Sequence, residues 1–508
     1  MKKLSYRMSR SLVVSAIAGS AACVAHAQYT PPPPPSPFAG FLNEYLRKTD
    51  PSMNQWDFGG NARLRSETKE GFGIQGVIGP VPSIDFRKEP ANTSDEYFME
   101  RIRYHAGYTG KWWSAYVEGR SSLEQSDERF AYANNPVVPG TFKTKGDGPE
   151  ADVIDLNQAY VTIGNLKEFP LSLKVGRQEL VYGEERLVGI SGWNNIARVF
   201  DAAKVRWQNE WFAADAFTSR PVIPEDGRFN KANDYDWFSG IYATTTKIPK
   251  HLLDVYFFSR NVSPEAINAE PRPQFPQPGA RDIYTVGGRF KSQPGQMGSW
   301  DYSVEGAYQF GDFRDRRLGV SSPRLTQDAF MVVLQGGYTF TNAWATPRLG
   351  AEYSYSSGDD NPHDGTHGTF DNLFPTNHKF YGYMDFMSLQ NIQDVRAIFQ
   401  LKPLSRLSLA LEGHGFWLAN THDSFYNVSG SPRGGLTSGG GSNYGINPGG
   451  SAFVGTELDA VAGYAVTRYA LLEVGYGHFF TGDYIHQSLS VAGSRDADYI
   501  YTQATISF

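Results

Sequence analysis

Alternation between apolar and polar side chains, sustained over segments of about ten residues, is the feature that most constrains how this chain can fold. In residues 300–310, WDYSVEGAYQF, aromatic residues, Val304 and Gly306 occupy one set of alternate positions, and mostly polar residues occupy the other. Residues 407–417 divide in a similar way. Because successive side chains of a strand point to opposite faces, these segments predict strands with one apolar and one polar face.

Eighteen such segments cover most of the chain after residue 57. A strand of about ten residues is long enough to cross a bilayer when tilted. The connections mostly alternate between short and long, which is typical of outer-membrane barrels with short periplasmic turns and long extracellular loops. No run of about 18 apolar residues follows the N-terminal segment, so no transmembrane helix is predicted. The predicted strands are residues 58–66, 97–108, 111–123, 153–164, 171–179, 201–208, 211–219, 236–247, 251–260, 281–291, 299–310, 327–341, 346–357, 392–402, 406–418, 452–466, 470–480 and 498–508.

A secreted β-sandwich or propeller also has alternating strands. Sandwich strands average about five or six residues, and propellers repeat about every 40 residues, a period that this sequence lacks. The apolar faces of the clearest segments contain no Lys, Arg, Asp or Glu, as expected where a charge at mid-bilayer costs about 2–4 kcal/mol. We therefore predict an all-β fold: a transmembrane antiparallel β-barrel of about 18 strands in a Gram-negative outer membrane.

The last predicted strand ends on an aromatic residue, Phe508. An even number of strands returns the chain to the periplasmic side, where the last strand is expected to pair with the first so that no backbone edge contacts lipid. Phe508 is then expected in the aromatic belt at the membrane interface.

The N-terminus has the features of a signal peptide. Basic residues precede an apolar stretch, and Ala25-His26-Ala27 matches a small-residue cleavage site. We predict a signal peptide over residues 1–27, a Pro-rich periplasmic segment over 28–56 and the outer-membrane barrel over 57–508.

The single cysteine, Cys23, lies within the predicted signal peptide. Cleavage just before Cys23, with a lipid attached to it, is the alternative. Removal of residues 1–27 takes away four basic and no acidic side chains and changes the formal net charge from −6 to −10. A chain this acidic is not expected to bind nucleic acid.

If the apolar faces contact lipid, the opposite faces line a lumen whose charge is uneven. In the first six predicted strands, the inward positions carry eight basic residues against one acid, Glu118. Such a wall attracts anions, and the planar guanidinium fork of Arg suits carboxylates. The alternative is that these cations pair with acids across the lumen into a neutral network. The eight basic residues are Arg63, Arg65, Arg101, Arg103, Arg120, Lys174, Lys204 and Arg206.

No arrangement of residues in the sequence indicates catalysis. An outer-membrane lipase or protease needs a nucleophile with a base in reach, and no spacing of Ser and His singles out such a pair. The run His363-Asp364-Gly365-Thr366-His367 could ligate a metal but is more typical of a solvated loop. We predict no enzyme activity, no metal site and no cofactor.

Residues 171–207 carry the most specific pattern in the chain. They contain Val175-Gly176-Arg177-Gln178-Glu179-Leu180, Tyr182-Gly183, Arg186-Leu187-Val188-Gly189, Trp193, Asn195 and Arg198-x-Phe200-Asp201, followed by Val205-Arg206. This run resembles the alginate export family of outer-membrane β-barrels. The resemblance implies an eighteen-stranded monomer whose arginine-rich constriction passes an anionic polysaccharide. It also implies a place in the anion path for Arg177, Arg198 and Arg206.

We therefore interpret the chain as an outer-membrane channel that passes anionic saccharides or an alginate-like polysaccharide through an arginine-rich lumen. The alternative is a general diffusion porin for small solutes. The expected partners are outer-membrane lipid, the saccharide and a periplasmic export partner, with no nucleic acid. The predicted anion path consists of Arg63, Arg65, Arg101, Arg103, Arg120, Lys174, Arg177, Arg198, Lys204 and Arg206.

The N-terminal boundary can be checked by intact-mass measurement of the purified protein. We expect a chain that begins at Gln28, because the cleavage motif ends at Ala27. A chain that begins at a lipid-modified Cys23 would contradict this boundary and establish the alternative.

Overall fold

The computed structural model describes residues 40–73, 77–78, 81–82, 84–88, 93–127, 150–225, 228–265, 279–315, 317 and 322–508. The predicted signal peptide and residues 28–39 of the predicted Pro-rich segment lie outside these residues. Among the described residues, no helix is both long and apolar enough to cross a membrane.

Within the described residues, eighteen antiparallel strands form one closed sheet, which confirms the predicted fold and strand number. Two-residue strands at Lys231–Ala232 and Thr366–His367 join its rim. The barrel strands are β1 (Trp56–Glu70), β2 (Ser94–Thr109), β3 (Trp113–Gln125), β4 (Asp152–Ile163), β5 (Leu171–Gln178), β6 (Phe200–Gln208), β7 (Ala213–Ile223), β8 (Asp236–Thr245), β9 (His251–Val262), β10 (Arg281–Ser292), β11 (Trp300–Phe313), β12 (Leu325–Thr339), β13 (Arg348–Ser356), β14 (Ile392–Leu404), β15 (Leu407–Leu418), β16 (Phe453–Ala465), β17 (Ala470–Thr481) and β18 (Ala497–Ser507).

Short helices and hairpins lie in the connections between the barrel strands and in the segment before β1. Helix α1 (Phe41–Thr49) is followed by a 3-10 turn (Pro51–Gln55) that leads into β1. Helix α2 (Asp483–Ser488) lies between β17 and β18, and a second 3-10 turn (Asn377–Lys379) lies between β13 and β14. Two-residue strands pair at Val77–Ile78 with Val81–Pro82 and at Phe425–Tyr426 with Pro432–Arg433.

The barrel closes between its last strand and its first. β18 pairs with β1 in an antiparallel register that runs from Asn61 opposite Ser507 to Glu70 opposite Asp498. Just beyond, the backbones of Gly60 and Phe508 donate hydrogen bonds to each other, with N to O distances of 3.0 and 2.9 Å. The expected closure at the C-terminal strand is therefore confirmed, and hydrogen bonds satisfy the backbone at the seam.

Exposure alternates along the strands as the sequence pattern predicts. In β11, Trp300, Val304 and Tyr308 are exposed on the outer surface, whereas Asp301 and Glu305 are buried inside. A row of exposed apolar side chains is stable only if lipid covers it, which fits the outer-membrane location. Comparable exposed residues on other strands include Leu64, Ile102, Val117, Val161, Val175, Val205, Ile241, Val255, Val286, Leu334, Leu349, Val395, Leu411, Leu458, Leu472 and Ile500.

Two long connections contribute buried residues to the interior of the barrel. We call residues 179–199, between β5 and β6, the first inner segment, and residues 357–391, between β13 and β14, the second inner segment. They pair with each other through a parallel bridge between Val188 and Phe374. Gly189 N donates to Phe374 O at 2.8 Å, and Phe374 N donates to Leu187 O at 2.9 Å. The two segments therefore form one joined unit.

Inward-facing aromatic residues on neighbouring strands provide an apolar surface against which this unit packs. Tyr182 of the first inner segment stacks on Phe217 of β7, with ring centroids 5.3 Å apart. Phe374 of the second inner segment packs edge-on against Phe238 of β8 at 4.9 Å. Because these rings are buried in one hydrophobic cluster, both segments are fixed against β6–β9 on this side of the lumen.

The lipid-facing assignment predicts a position-specific stability effect. Leu334→Arg places a charge on the exposed face of β12 and is expected to lower the free energy of unfolding by about 2–4 kcal/mol if the site is near the bilayer midplane. The matched control is Gln335→Arg, which changes the neighbouring, lumen-facing position. Denaturant titration in phospholipid vesicles, followed by heat-modifiable gel migration, measures both. Equal losses for the two variants would contradict the assignment of faces.

Candidate anion path and the inner segments

Arginines stand directly opposite one another on the wall formed by β1, β2 and β3. Arg63 is the cross-strand partner of Arg101, and Arg103 is the partner of Arg120. Like charges directly opposite destabilise a sheet. The facing arginines are therefore stable in this wall only if other parts of the chain provide groups that bind them.

The first inner segment supplies backbone carbonyl oxygens to two of these arginines. Arg63 Nη1 and Nη2 donate to Gly192 O and Asn194 O at 3.0 and 3.1 Å. Arg101 Nη1 donates to the same two oxygens at 3.1 and 3.0 Å. Two carbonyl groups thus hold two guanidinium groups side by side. The arginines in turn fix residues 192–194, which we call the tip of the first inner segment, against the wall.

Trp193, between those two carbonyl residues, is held on both faces. The guanidinium carbon of Arg65 lies 4.0 Å from its ring centroid. The ring of His378, from the second inner segment, stacks on it at 3.9 Å between centroids. Arg65 Nη1 also donates to Trp193 O at 2.8 Å. Trp193 therefore links the basic wall to both inner segments.

Asn195, the next residue of the segment, forms hydrogen bonds with the backbones of two strands. Its Nδ2 donates to Glu100 O at 3.1 Å and to Leu123 O at 3.2 Å. Its backbone N donates to a carboxylate oxygen of Glu150 at 2.6 Å. Because Asn195 is fully buried, these bonds satisfy polar groups that water cannot reach.

Six of the ten predicted path residues form ion pairs with carboxylates. Arg65 Nε lies 2.8 Å from Glu67, and Arg103 lies 3.2 Å from Glu179 and 3.9 Å from Glu118. For these residues the neutral-network alternative describes the local structure. The remaining pairs are Arg120 with Asp152 at 2.5 Å, Arg177 with Asp201 at 2.8 Å, Lys204 with Asp215 at 3.4 Å and Arg206 with Asp215 at 3.0 Å.

The other four cations, Arg63, Arg101, Lys174 and Arg198, have no carboxylate within 4.0 Å among the described residues. Arg198 donates to Gly189 O at 3.0 Å and to Pro375 O at 2.9 Å. Burial, with repulsion from another arginine, lowers the pKa of Arg198 to about 10. The Lys174 ammonium lies 3.4 Å from the centroid of the Tyr160 ring. Carbonyl groups and an aromatic face solvate these cations without cancelling their charge.

The arginines at the segment tip also retain unused donors. Within the part of the chain that the structure describes, the Nε atoms of Arg63 and Arg101 are buried without a hydrogen-bond partner. Both described hydrogen bonds of Arg101 use Nη1, which leaves Nη2 for another acceptor. A carboxylate that reached this site could accept hydrogen bonds without displacing the carbonyl groups.

Sequence reasoning missed several of the pairing acids because of where the predicted strands end. Glu67 follows the predicted end at residue 66, although β1 continues to Glu70. Asp152 precedes the predicted start at residue 153, and the pairing of β3 with β4 contains an irregularity beside Arg120. Above the apolar belt both faces of a strand are wet, so the period-two pattern fades before the strand ends.

Acids on β16, three strands from β1 in the closed sheet, hold the second inner segment. Met384 N donates to Glu457 at 2.9 Å, and Tyr383 N donates to Asp459 at 3.4 Å. Both acids lie on β16 and are buried inside the barrel. The arginines of β1 and β2 thus bind backbone carbonyl oxygens of the first inner segment, whereas the acids of β16 bind backbone N–H groups of the second.

Among the described residues, no group of three or more His, Cys, Asp or Glu side chains could hold a metal ion. His367 lies in the rim strand, and its Nδ1 donates a hydrogen bond to Gln327 Oε1 at 2.7 Å. Burial lowers the pKa of His367 to about 3, which keeps its ring neutral.

Comparisons with known proteins agree with this architecture. The family model described as "Alginate export" matches residues 83–497. OccAB1 of Acinetobacter baumannii has a TM-score of 0.53 at 10% identity, over 89% of this chain and 97% of that one. OccK2 (OpdF) of Pseudomonas aeruginosa, solved in complex with glucuronate, has a TM-score of 0.50 at 12% identity, over 89% of this chain and 96% of that one. At these identities the solved structures support the fold alone. No curated protein matches the sequence.

The position of Trp193 predicts that it restrains the inner segments. Trp193→Ala removes the Arg65 cation–π contact, worth about 1–2 kcal/mol where partly desolvated, together with the His378 stack. We expect larger and more frequent conductance fluctuations in single-channel recordings. Trp237→Ala is the matched control, because Trp237 is exposed on the outer face of β8. If the conductance fluctuations of both variants match those of the unaltered protein, Trp193 does not restrain the segments.

Proposed function

Because the chain belongs to the alginate export family and is an outer-membrane β-barrel channel, we propose that it passes anionic saccharides. Arg63, Arg101, Lys174 and Arg198, the four path residues without a described carboxylate partner, are the groups that attract the cargo. The remaining basic residues of the predicted path shape the field around them through their ion pairs. The protein carries out no chemistry on the saccharide in this proposal.

The observation that carries the proposal is the uncompensated charge at the tip of the first inner segment. Arg63 and Arg101 bind the same two carbonyl oxygens at 3.0–3.1 Å and have no described carboxylate neighbour. Fixed positive charge in a lumen selects anions, and a guanidinium fork binds a carboxylate in two parallel hydrogen bonds. Sugar acids carry this carboxylate on a polar ring.

The inner segments bear on the size of the cargo. Residues of both segments, including Val188 and Leu389, are buried inside the barrel in one hydrophobic cluster. A chain of many sugar units needs a wide continuous path, whereas a monosaccharide or short oligosaccharide needs less displacement of these segments. The glucuronate complex of OccK2, a barrel of similar fold, adds support for a sugar acid of this size.

The charge of Arg101 is testable by the reversal potential across a planar bilayer with unequal KCl on the two sides. We expect anion preference in the unaltered protein and a shift of the reversal potential toward zero in Arg101→Gln. Arg101→Lys keeps the charge and should keep the anion preference. This variant therefore separates the effect of the charge from the effect of the hydrogen bonds that Arg101 donates to Gly192 and Asn194. Arg324→Gln is the control, since Arg324 is an exposed arginine paired with Asp282 at 2.5 Å.

Liposome swelling identifies the cargo class. Glucuronate should enter vesicles that contain the protein faster than glucose, and Arg101→Gln should narrow that difference. Equal rates for the two sugars would favour the general diffusion porin. A preference of the unaltered protein for cations in the reversal-potential measurement would show that the basic wall does not select anions.

A further inference from the structure

The first strand extends past the strand that closes the barrel. β18 ends at Ser507, opposite Asn61, whereas β1 begins at Trp56. On the β2 side, Trp56 to Gly60 remain paired. On the seam side, no described strand pairs with Trp56 to Phe58. An unpaired strand edge at the membrane interface is unfavourable because its backbone groups need partners.

Helix α1 supplies those partners from its side chains. Phe58 N donates to Asn43 Oδ1 at 2.8 Å. Arg47 Nη2 donates to Trp56 O at 2.7 Å. Asn43, 1% exposed, also donates to the side chain of Asp57. The helix therefore takes the place of the missing end of β18.

The helix meets the barrel at its lipid-facing aromatic belt. The Phe41 ring lies 6.4 Å from the Phe508 ring and 5.9 Å from the Tyr469 ring. Phe508 covers the outer side of Gly60, where an added Cβ would lie 2.8 Å from the Phe508 ring. Phe508 shares the outward face of Ile506, which is exposed on the barrel surface. The aromatic surface of the belt thus continues onto α1.

The free face of α1 combines two large aromatic residues with a basic one, Lys48. Phe41 is 50% exposed and Tyr45 is 68% exposed, four residues apart on one face of the helix. Lys48 lies one turn further along, next to Arg47. Aromatic residues beside basic residues are typical of helices that lie in the headgroup layer, where long cationic side chains reach phosphates.

We propose that α1 is an interfacial helix that binds phospholipid of the inner leaflet at the closing seam. The short-turn end of an outer-membrane barrel faces the periplasm, so this leaflet is the one within reach. Tyr45 lies among the headgroups and upper acyl chains, and Lys48 contacts lipid phosphate. The occupant is lipid because the exposed face is continuous with the belt around Phe508 and because Lys48 on that face complements phosphate groups.

The test uses a single cysteine that carries a bimane label, in a Cys23→Ser background that has no other cysteine. Tyr45→Cys places the label on the exposed face of α1, and its exposure makes a folding defect unexpected. Asn54→Cys, in the exposed 3-10 turn before β1, is the matched control. The folded protein is reconstituted in vesicles of phosphatidylcholine brominated on the acyl chain, and iodide is the aqueous quencher.

We expect brominated lipid to quench the label at position 45 more strongly than iodide does, with a blue-shifted emission, and the reverse order at position 54. Equal quenching by iodide at both positions would overturn the proposal and place this face in water. Protection of position 45 from both quenchers would also overturn it, because the face would then contact protein.

Discussion

The requirement that every backbone N–H and C=O group find a partner inside hydrocarbon governs this structure. Only a closed sheet meets it with strands, so β18 must return to β1. Closure then fixes which side chains face lipid and which face the lumen, because the pairing register leaves no freedom to rotate a strand. At the seam, where β18 is too short, Asn43 and Arg47 of α1 meet the same requirement.

Closure also creates the electrostatic problem of the lumen. Arg63 and Arg101, or Arg103 and Arg120, cannot turn away from each other, since their Cα atoms are paired across neighbouring strands. One pair is relieved by acids, Glu179 and Asp152. The other is relieved by carbonyl dipoles of the first inner segment. The second solution leaves net positive charge in place, which is the physical basis for the proposed anion path.

Much of the barrel could be predicted from sequence because its cause is local. Lipid selects an apolar residue at every second position, so 300–310 reveals both its strand and its outward face. The inner segments have no such period. Leu187 and Val188 indicate burial somewhere, but their pairing with Phe374 joins residues almost two hundred positions apart. Glu67 and Asp152 were missed because the pattern stops at the edge of the lipid belt, before the strands end.

The geometry of the segment tip explains why arginine suits positions 63 and 101. Two forks share the carbonyl oxygens of Gly192 and Asn194, and four hydrogen bonds of 3.0–3.1 Å hold them. Arg63 binds the two oxygens with Nη1 and Nη2, which the single nitrogen of a lysine cannot do, and Arg101 binds both with Nη1 and keeps Nη2 as a further donor. Because the Nε atoms of both arginines are buried, Nη2 of Arg101 is the donor that our proposal assigns to a passing anion. In the proposed function, Arg101 thus anchors the segment through Nη1 and binds cargo through Nη2, so the two roles do not compete.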